Sequence, residues 1–156
     1  WDKTTLGIQQ AAFEAQIILA KELNLPIVIH ARDSFDEIFN IVDKHNDENL
    51  TGIFHCFTGT KEQADKIINY KGFKLGIGGV VTFKNAGLDK VVREISLNHM
   101  VLETDSPYLA PHPNRGKRNE SSYLTIIAQK IAEIHEVSLE EVARITTKNS
   151  LEVFKK

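Results

Sequence analysis

The hydrophobic and polar positions of this 156-residue chain follow two periods in turn, one helical and one extended. Apolar residues at helical spacing predict an amphipathic helix over residues 5–24, with a stripe made of Ile8, Ala12, Ala15, Leu19 and Leu23. Short apolar runs predict four strands, at residues 27–30, 51–55, 73–77 and 100–104. Further helical patterns separate these strands, and two closing helices are predicted over residues 121–135 and 138–154.

Three helix starts carry a capping box, in which a serine or threonine is followed three residues later by glutamate or glutamine. The pairs are Ser34 with Glu37, Thr60 with Gln63, and Ser138 with Glu141. In each pair the first side chain is expected to accept a hydrogen bond from a free backbone N–H of the first helical turn. These motifs predict where three helices begin.

Strands that are separated by helices are typical of a parallel sheet with right-handed crossovers. His30 and His55 stand at the ends of predicted strands, 25 residues apart, and Asp105 ends another strand 50 residues after His55. A strand-plus-helix unit thus recurs about every 25 residues, and four such units are visible. The pattern predicts an α/β fold.

Composition is that of an ordinary globular domain, with 42% hydrophobic and 26% charged residues. A formal net charge of −2 argues against a protein that coats nucleic acid by bulk electrostatics, but it allows a local basic patch. The single cysteine, Cys56, excludes an internal disulfide framework and indicates a reducing compartment, so we expect a cytoplasmic protein. No apolar run approaches the roughly 20 residues of a membrane span, so no membrane partner is expected.

The amino-terminal sequence is unusual for a complete protein. The chain begins Trp1-Asp2-Lys3-Thr4, and its only methionine is Met100. We therefore expect Trp1 to lie inside a longer protein.

Candidate chemistry lies at the strand ends. In folds built from parallel strands, catalytic groups gather at the carboxyl ends of the strands, which is where His30, His55 and Asp105 stand. Histidine and aspartate are good ligands for a divalent metal that activates water. Each histidine alone is well explained as a core or loop residue, but three potential ligands at three strand ends favour a site. The sequence predicts a metal-dependent hydrolase in which these ligands form only part of the metal site.

Glu103 shares a side of its strand with Asp105, because side chains alternate along a strand. A carboxylate inside an apolar strand is costly unless it has a partner. We expect Glu103 to orient a metal-bound histidine through a hydrogen bond to its ring, although Glu103 could itself bind the metal. Gly76, Gly78 and Gly79 mark the third strand, where the missing Cβ could let a substrate approach the backbone.

Basic residues are expected at the mouth of the site. Arg32 follows the first histidine by two positions and shares its side, and Arg115 lies in the polar loop over residues 110–120. Both are candidates for binding the phosphate groups of a substrate, because guanidinium groups match phosphate oxygens. The alternatives are an ion pair of Arg32 with Glu103 or Asp33, and a solvated basic loop around Arg115.

Three other polar residues are assigned supporting roles or none. Asn119 is expected to brace the loop that contains it. Tyr108 either packs locally or stacks on a base, with packing favoured. Cys56 is interpreted as a small buried hydrophobic residue rather than a nucleophile.

Five stretches contain the candidate residues or lie beside them: PIVIHAR at residues 26–32, FHCFTG at 54–59, LGIGG at 75–79, LETDSPYL at 102–109 and APHPNRGKRNE at 110–120. Together they resemble the TatD family of metal-dependent deoxyribonucleases, which are amidohydrolase-like (β/α)8 barrels. The resemblance covers essentially the whole chain, and the last two stretches are quite specific. It implies a TIM-type barrel, of which residues 1–156 would form the C-terminal half as one domain, with four β/α units and a closing helix.

The resemblance also implies a site with two divalent ions, which would be Zn, Mg or Mn. His30 and His55 would hold one ion, whereas Asp105 would hold the other and act as the catalytic residue that helps to activate water. The family pattern further includes a His-x-His pair and a strand-borne glutamate that these 156 residues lack. The implied activity is hydrolysis of phosphodiester bonds in DNA, with single-stranded DNA or strand ends as partner, by a site that needs an upstream segment.

Two other functions stay open from the sequence. The first is another hydrolase of the amidohydrolase superfamily, acting on a cyclic amide or ester, and the second is a non-catalytic half-barrel. Half a barrel would leave two sheet edges unpaired and an open face lined by Val28, Ile53 and similar side chains. We therefore expect the isolated chain to self-associate and to be inactive as a nuclease.

Overall fold

The structure, a computed structural model, describes residues 4–154, and in this range four strands alternate with six α-helices. The strands are β1 Ile27–His30, β2 Gly52–His55, β3 Phe73–Ile77 and β4 Met100–Leu102. The helices are α1 Leu6–Glu22, α2 Phe35–His45, α3 Lys61–Asn69, α4 Leu88–Arg93, α5 Leu124–His135 and α6 Leu139–Phe154. Short 3-10 turns lie at Gly79–Thr82, Leu97–His99 and Ser121–Tyr123.

The four strands form one parallel sheet in the order β1-β2-β3-β4. The register places His30 directly opposite His55. Because all strands run in the same direction, their carboxyl ends lie along one edge of the sheet. Within residues 4–154, β1 and β4 each have a single strand neighbour. The α/β class and the parallel sheet are confirmed, and completion into a barrel stays a prediction.

Aromatic side chains fill the space between the sheet and the helices. Phe54 of β2 is 1% exposed, and its ring centroid lies 6.1 Å from that of Phe39 on α2 and 5.3 Å from that of Phe73 on β3. Tyr70, at the end of α3, packs against both Phe39 and Phe73. This packing buries the face of the sheet that meets the helices, so the other face is left for chemistry.

That other face is covered only in part. Val28 is 57% exposed, whereas Ile53 and Val101 are 6% and 3% exposed. Val153, from the last turn of α6, forms an apolar cluster with Ile53 and Val101. The prediction of an open face was therefore right for Val28 and wrong for Ile53, because α6 covers the middle of this face.

Helix α1 buries a different face from the one that the sequence predicted. Ile8, Leu19 and Leu23 are 72%, 52% and 54% exposed, whereas Ile17 is fully buried and Phe13 packs against the core. Phe13 and Ile17 are four residues apart and therefore share a face of the helix. Apolar spacing identified the helix but not the face that meets the core.

No helix in the described range has the length and apolar character needed to cross a bilayer.

Two of the three predicted caps are present. Thr60 Oγ1 accepts a hydrogen bond from the Gln63 N–H, and the Gln63 side chain accepts one from the Thr60 N–H. Ser138 Oγ accepts from the Glu141 N–H at 3.1 Å. The Ser34 side chain makes no capping hydrogen bond, so the third prediction was wrong. Its backbone has ψ near 24°, not the extended conformation of a typical capping residue.

Replacing Asn149 with alanine is expected to lower the free energy of unfolding by about 2–4 kcal/mol. Asn149 lies on α6, is 2% exposed, and donates from Nδ2 to the carbonyl oxygens of Leu97 and Met100 at 2.7 Å each. The alanine variant leaves two buried carbonyls without these donors. Urea unfolding measures the loss, with the exposed Asn98→Ala as control, and an equal effect of both substitutions would contradict the assignment.

Candidate active site

The ends of three strands carry the candidate residues to one edge of the sheet. His30 ends β1 and His55 ends β2, and their ring centroids are 5.6 Å apart with the planes inclined by 39°. Strand β4 ends at Leu102, two residues earlier than predicted. Glu103 and Asp105 therefore belong to the segment that follows β4, directly beside His55.

His55 lies between two carboxylates. Its Nδ1 is 2.8 Å from Oε2 of Glu103, and its Nε2 is 3.1 Å from Oδ1 of Asp105. The second carboxylate oxygen of Glu103 accepts a hydrogen bond from the backbone N–H of Cys56 at 2.6 Å. Glu103 is thus fixed at both oxygens, and it lies where a group that orients a metal-binding imidazole would be needed.

The chemistry of these donors fits a divalent cation. A neutral His55 ring that donates its Nδ1 proton to Glu103 presents the lone pair of Nε2 toward Asp105, so two electron-rich atoms face each other. Imidazole nitrogen and carboxylate oxygen are ligands that such a cation accepts. Within residues 4–154, no three His, Cys, Asp or Glu side chains are placed so that they could hold an ion by themselves. His30, His55 and Asp105 therefore supply suitable donors without enclosing a site.

Asp105 is held in a turn of unusual backbone conformation. Its φ of 55° lies in the left-handed region, where aspartate is more common than most other residues. Its carbonyl accepts a hydrogen bond from the Tyr108 N–H at 2.9 Å. Asn119, which is 1% exposed, donates from Nδ2 to the carbonyls of Thr104 and Tyr108. Asn119 thus ties together both sides of the turn, and its predicted bracing role is confirmed.

Gly76 provides the space that Glu103 occupies. A Cβ on Gly76 would lie 2.5 Å from Oε2 of Glu103 and 3.3 Å from the Cα of His55. At Gly79 the corresponding space is filled by the carbonyl oxygen of Leu109. The prediction that these glycines let a substrate approach the backbone was therefore wrong for Gly76 and Gly79, because protein atoms already fill both positions. At Gly78 a Cβ would meet its nearest atoms at 3.8 Å, so the prediction stands there as a prediction.

The two candidate phosphate-binding arginines line different cavities. Arg32 lines a cavity of about 570 Å³ together with Asp36 and Lys61. Arg115 lines one of about 450 Å³, where its guanidinium carbon lies 4.0 Å from the ring centroid of Phe83. The candidate metal ligands line neither cavity. Phe83 carries no sequence signal of this contact, because no periodicity or motif links residue 83 to residue 115.

Cys56 is half-buried, and burial raises the pKa of its thiol to about 11, with Asp105 and Glu103 adding to the shift. The thiol therefore stays protonated at neutral pH, which agrees with the prediction that Cys56 is not a nucleophile. Burial also lowers the pKa of His99 and of His135. Both rings thus favour the neutral form, and both lie outside the candidate site.

Comparison with known proteins identifies the family. The profile of the family described as TatD related DNase matches residues 1–155. The chain belongs to this family. The resemblance to TatD proteins that the PIVIHAR, FHCFTG and LETDSPYL stretches indicated is thereby confirmed.

Individual TatD-like relatives match almost all of this chain. The uncharacterised metal-dependent hydrolase YabD of Bacillus subtilis (strain 168) is 48% identical over 156 residues, which covers 99% of this chain and 61% of YabD. The uncharacterised metal-dependent hydrolase YcfH of Escherichia coli (strain K12) is 37% identical over 147 residues, which covers 94% of this chain and 55% of YcfH. The chain thus spans between 55% and 61% of the length of these two relatives.

Solved TatD structures share the fold. The crystal structure of YJJV, a TatD homologue from Escherichia coli K12, matches with a TM-score of 0.92 at 25% sequence identity, over 100% of this chain and 60% of YJJV. The TatD-family hydrolase of Entamoeba histolytica matches with a TM-score of 0.82 at 22% identity, over 94% of this chain and 56% of that protein. This likeness agrees with an α/β fold of the TIM-barrel type.

Proposed function

We propose that the protein containing this chain is a metal-dependent hydrolase that cleaves phosphodiester bonds in DNA. One observation carries the proposal: in a chain of the TatD-related DNase family, His55 lies between Glu103 and Asp105 at the carboxyl edge of a parallel sheet, beside His30. The relatives YabD and YcfH are both named metal-dependent hydrolases. These names support the reaction class, and the family description supports DNA as the substrate.

The proposed roles follow from the donors and their contacts. His30 and His55 would bind one divalent ion and Asp105 a second, with Zn, Mg or Mn as candidates. Bound ions would supply Lewis acidity toward the phosphate and make a bound water more acidic. Glu103 Oε2 lies 2.8 Å from Nδ1 of His55, where it would accept the Nδ1 proton of a neutral ring and keep the Nε2 lone pair available for a metal. Asp105 would accept a proton from the attacking water.

The substrate is proposed to be single-stranded DNA or a strand end. The exposed Arg32 and Arg115 would contact its phosphates, since a guanidinium group donates two parallel hydrogen bonds to phosphate oxygens. A net charge of −2 suits an enzyme that binds a few nucleotides better than one that covers a duplex. The single cysteine is compatible with a reducing compartment, and we propose that the protein is cytoplasmic.

The complete site is proposed to need chain upstream of Trp1. Within the described range, β1 and β4 are edge strands of the sheet, and the three candidate ligands do not enclose an ion. The other half of a (β/α)8 barrel would pair with both edges and contribute further ligands. The match to 61% of YabD is consistent with such a longer protein.

Removing either candidate histidine tests the proposal. In the full-length protein, His30→Ala and His55→Ala are each expected to lower bound metal and DNA cleavage together, because each loses an imidazole ligand while the core is spared. Elemental analysis and cleavage of a single-stranded oligonucleotide, with and without chelator, measure both effects. The control is His45→Ala, which removes an imidazole from α2 that contacts Glu14.

The outcomes separate the candidate functions. Unchanged metal content in both histidine variants would refute the ligand assignment. Metal-dependent cleavage of cyclic amides or esters without cleavage of DNA would favour another amidohydrolase-type enzyme. A full-length protein that binds no metal and cleaves nothing would favour a non-catalytic scaffold.

The isolated chain, Trp1–Lys156, is expected to form dimers or larger species and to show little nuclease activity. Val28 is 57% exposed on β1, which has a single strand neighbour within residues 4–154, and Ile8 on α1 is 72% exposed. Strand edges and apolar surface of this kind favour association. Sedimentation velocity tests the first part, and a stable monomer would contradict it. Chelator-sensitive cleavage of single-stranded DNA by the isolated chain would contradict the second part.

A further inference from the structure

The cavity that Arg115 lines is basic, and it opens along the edge of the sheet that carries the candidate ligands. It has a volume of about 450 Å³ and is lined by residues 82–86, His112 and Arg115. The first segment follows β3 and the other two residues follow β4, so both walls are loops at the carboxyl ends of strands. We call this space the basic cavity. No aspartate or glutamate lines it.

The positive charge of the basic cavity is not neutralised by the protein. Lys84 and Arg115 are exposed, and neither forms an ion pair with a carboxylate within residues 4–154. Elsewhere, Lys61 and Lys66 are each paired with an aspartate at 2.6 and 2.8 Å. In a chain of net charge −2, two unpaired cations that line one cavity favour an anionic ligand.

The basic cavity is organised before any ligand arrives. The guanidinium carbon of Arg115 lies 4.0 Å from the ring centroid of Phe83, a contact that restricts the arginine side chain without using its N–H groups as hydrogen-bond donors. Thr82 Oγ1 donates to the Gly79 carbonyl at 2.7 Å and accepts from the His112 N–H at 2.8 Å. The two walls are thereby joined, so a ligand would lose less conformational entropy in ordering them.

The cavity that contains Arg32 differs in charge. Asp33, Asp36 and Glu37 also line it, so an anion there would meet three carboxylates. The two cavities share Ala86 as a lining residue and therefore adjoin each other. Of the two, the basic cavity is the better match for a group that carries only negative charge and only hydrogen-bond acceptors.

We propose that the basic cavity is a subsite for a backbone phosphate of the substrate strand, separate from the phosphate that reacts. The inference rests on the proposed function for the identity of the strand. Arg115 donates to two phosphate oxygens through its planar group, and Lys84 adds a point charge. The subsite would fix the direction in which a single strand leaves the candidate active site.

Binding without catalysis tests the subsite. The probe is fluorescein-labelled oligo(dT) of twelve nucleotides, and its anisotropy is followed with the full-length protein in excess chelator over a series of salt concentrations. The double variant Lys84→Ala/Arg115→Ala is expected to bind about tenfold more weakly or worse. The slope of the logarithm of its binding constant against the logarithm of salt concentration should become shallower by about 0.7 for each lost phosphate contact.

The control removes two charges from the other end of the sheet, where the strands begin. Lys44→Ala/Lys71→Asn changes two exposed lysines, one in the last turn of α2 and one just after α3, and asparagine tolerates the φ of 64° at position 71. This control should bind oligo(dT) as the unmodified protein does. Equal losses in both double variants would overturn the subsite and indicate a general charge effect.

Two further results distinguish a failure of the phosphate subsite from a failure of the proposed function. If inorganic phosphate raises the Tm of the unmodified protein but not of Lys84→Ala/Arg115→Ala, while oligo(dT) affinity is the same for both, the cavity binds free phosphate and the strand assignment is wrong. If the unmodified protein with metal does not cleave the oligonucleotide, the proposed function fails. The subsite is still supported in that case when the double variant alone loses affinity in chelator.

Discussion

DNA cleavage by the full-length protein is expected to fall by about 10²-fold or more when Asp105 is replaced by asparagine. The amide keeps the size of the side chain but loses the negative charge that would hold a metal ion and accept a proton from water. The fold should persist, because the turn is fixed by backbone contacts of Asp105 and by Asn119, and these do not involve the Asp105 carboxylate. Steady-state cleavage of a single-stranded oligonucleotide measures the loss.

The matched control for this change is Asp65→Asn, which makes the same substitution on α3. Asp65 is exposed and pairs with Lys61 at the surface, a contact that contributes little to stability. Its cleavage rate should equal that of the unmodified protein. Near-normal turnover in Asp105→Asn would show instead that Asp105 has a structural role only.

Gly76→Ala is expected to lower the free energy of unfolding by about 1–3 kcal/mol and the metal affinity by about 10–100-fold. The added methyl group would lie 2.5 Å from Oε2 of Glu103, so the carboxylate must move. When Glu103 moves, the His55 ring loses its Nδ1 partner and the Cys56 N–H loses its acceptor. Chemical denaturation measures the first effect and metal titration the second.

Gly7→Ala provides the contrasting substitution. Gly7 lies in the first turn of α1, and a Cβ there would meet no atom within 4 Å. Alanine is a better helix former than glycine by about 1 kcal/mol, so this variant should be neutral or slightly more stable. If Gly76→Ala matched Gly7→Ala in stability and metal affinity, the contact between Gly76 and Glu103 would not matter to the site.

Local sequence signals predicted the strands closely. The bounds of β1 and β3 agree with the prediction residue for residue, and β2 differs by one residue. Each run is apolar and is preceded by proline, glycine or polar residues that end the previous element. Strand β4 was predicted two residues too long. Residues 103 and 104 are polar and lie beyond the end of β4, although the Glu103 N–H still donates to the Ile77 carbonyl of β3, and their side chains form contacts that periodicity does not reveal.

Helix faces were predicted less well than helix positions. Helix α1 has apolar residues on more than one side, and only the position of the sheet decides that Ile17 is buried while Leu19 is exposed. The same limit applies to Ser34, where the backbone conformation, not the residue type, decides whether a cap forms. The contacts made by α6 with Ile53 are likewise long-range and leave no local signal.

The sequence by itself determined the alternation of strands and helices, the parallel sheet, the TatD-like motifs and the placement of His30 and His55 at strand ends with Asp105 shortly after β4, because these depend on residue type and spacing along the chain. A hydrogen bond between Glu103 and a histidine ring was predicted, but only the tertiary structure decided that the histidine is His55. It also decided that Gly76 makes the necessary space and that Arg115 lies over Phe83. These contacts join residues 27 or more positions apart. The physical reason is that their distances depend on how the strands and loops pack together, which no local pattern specifies.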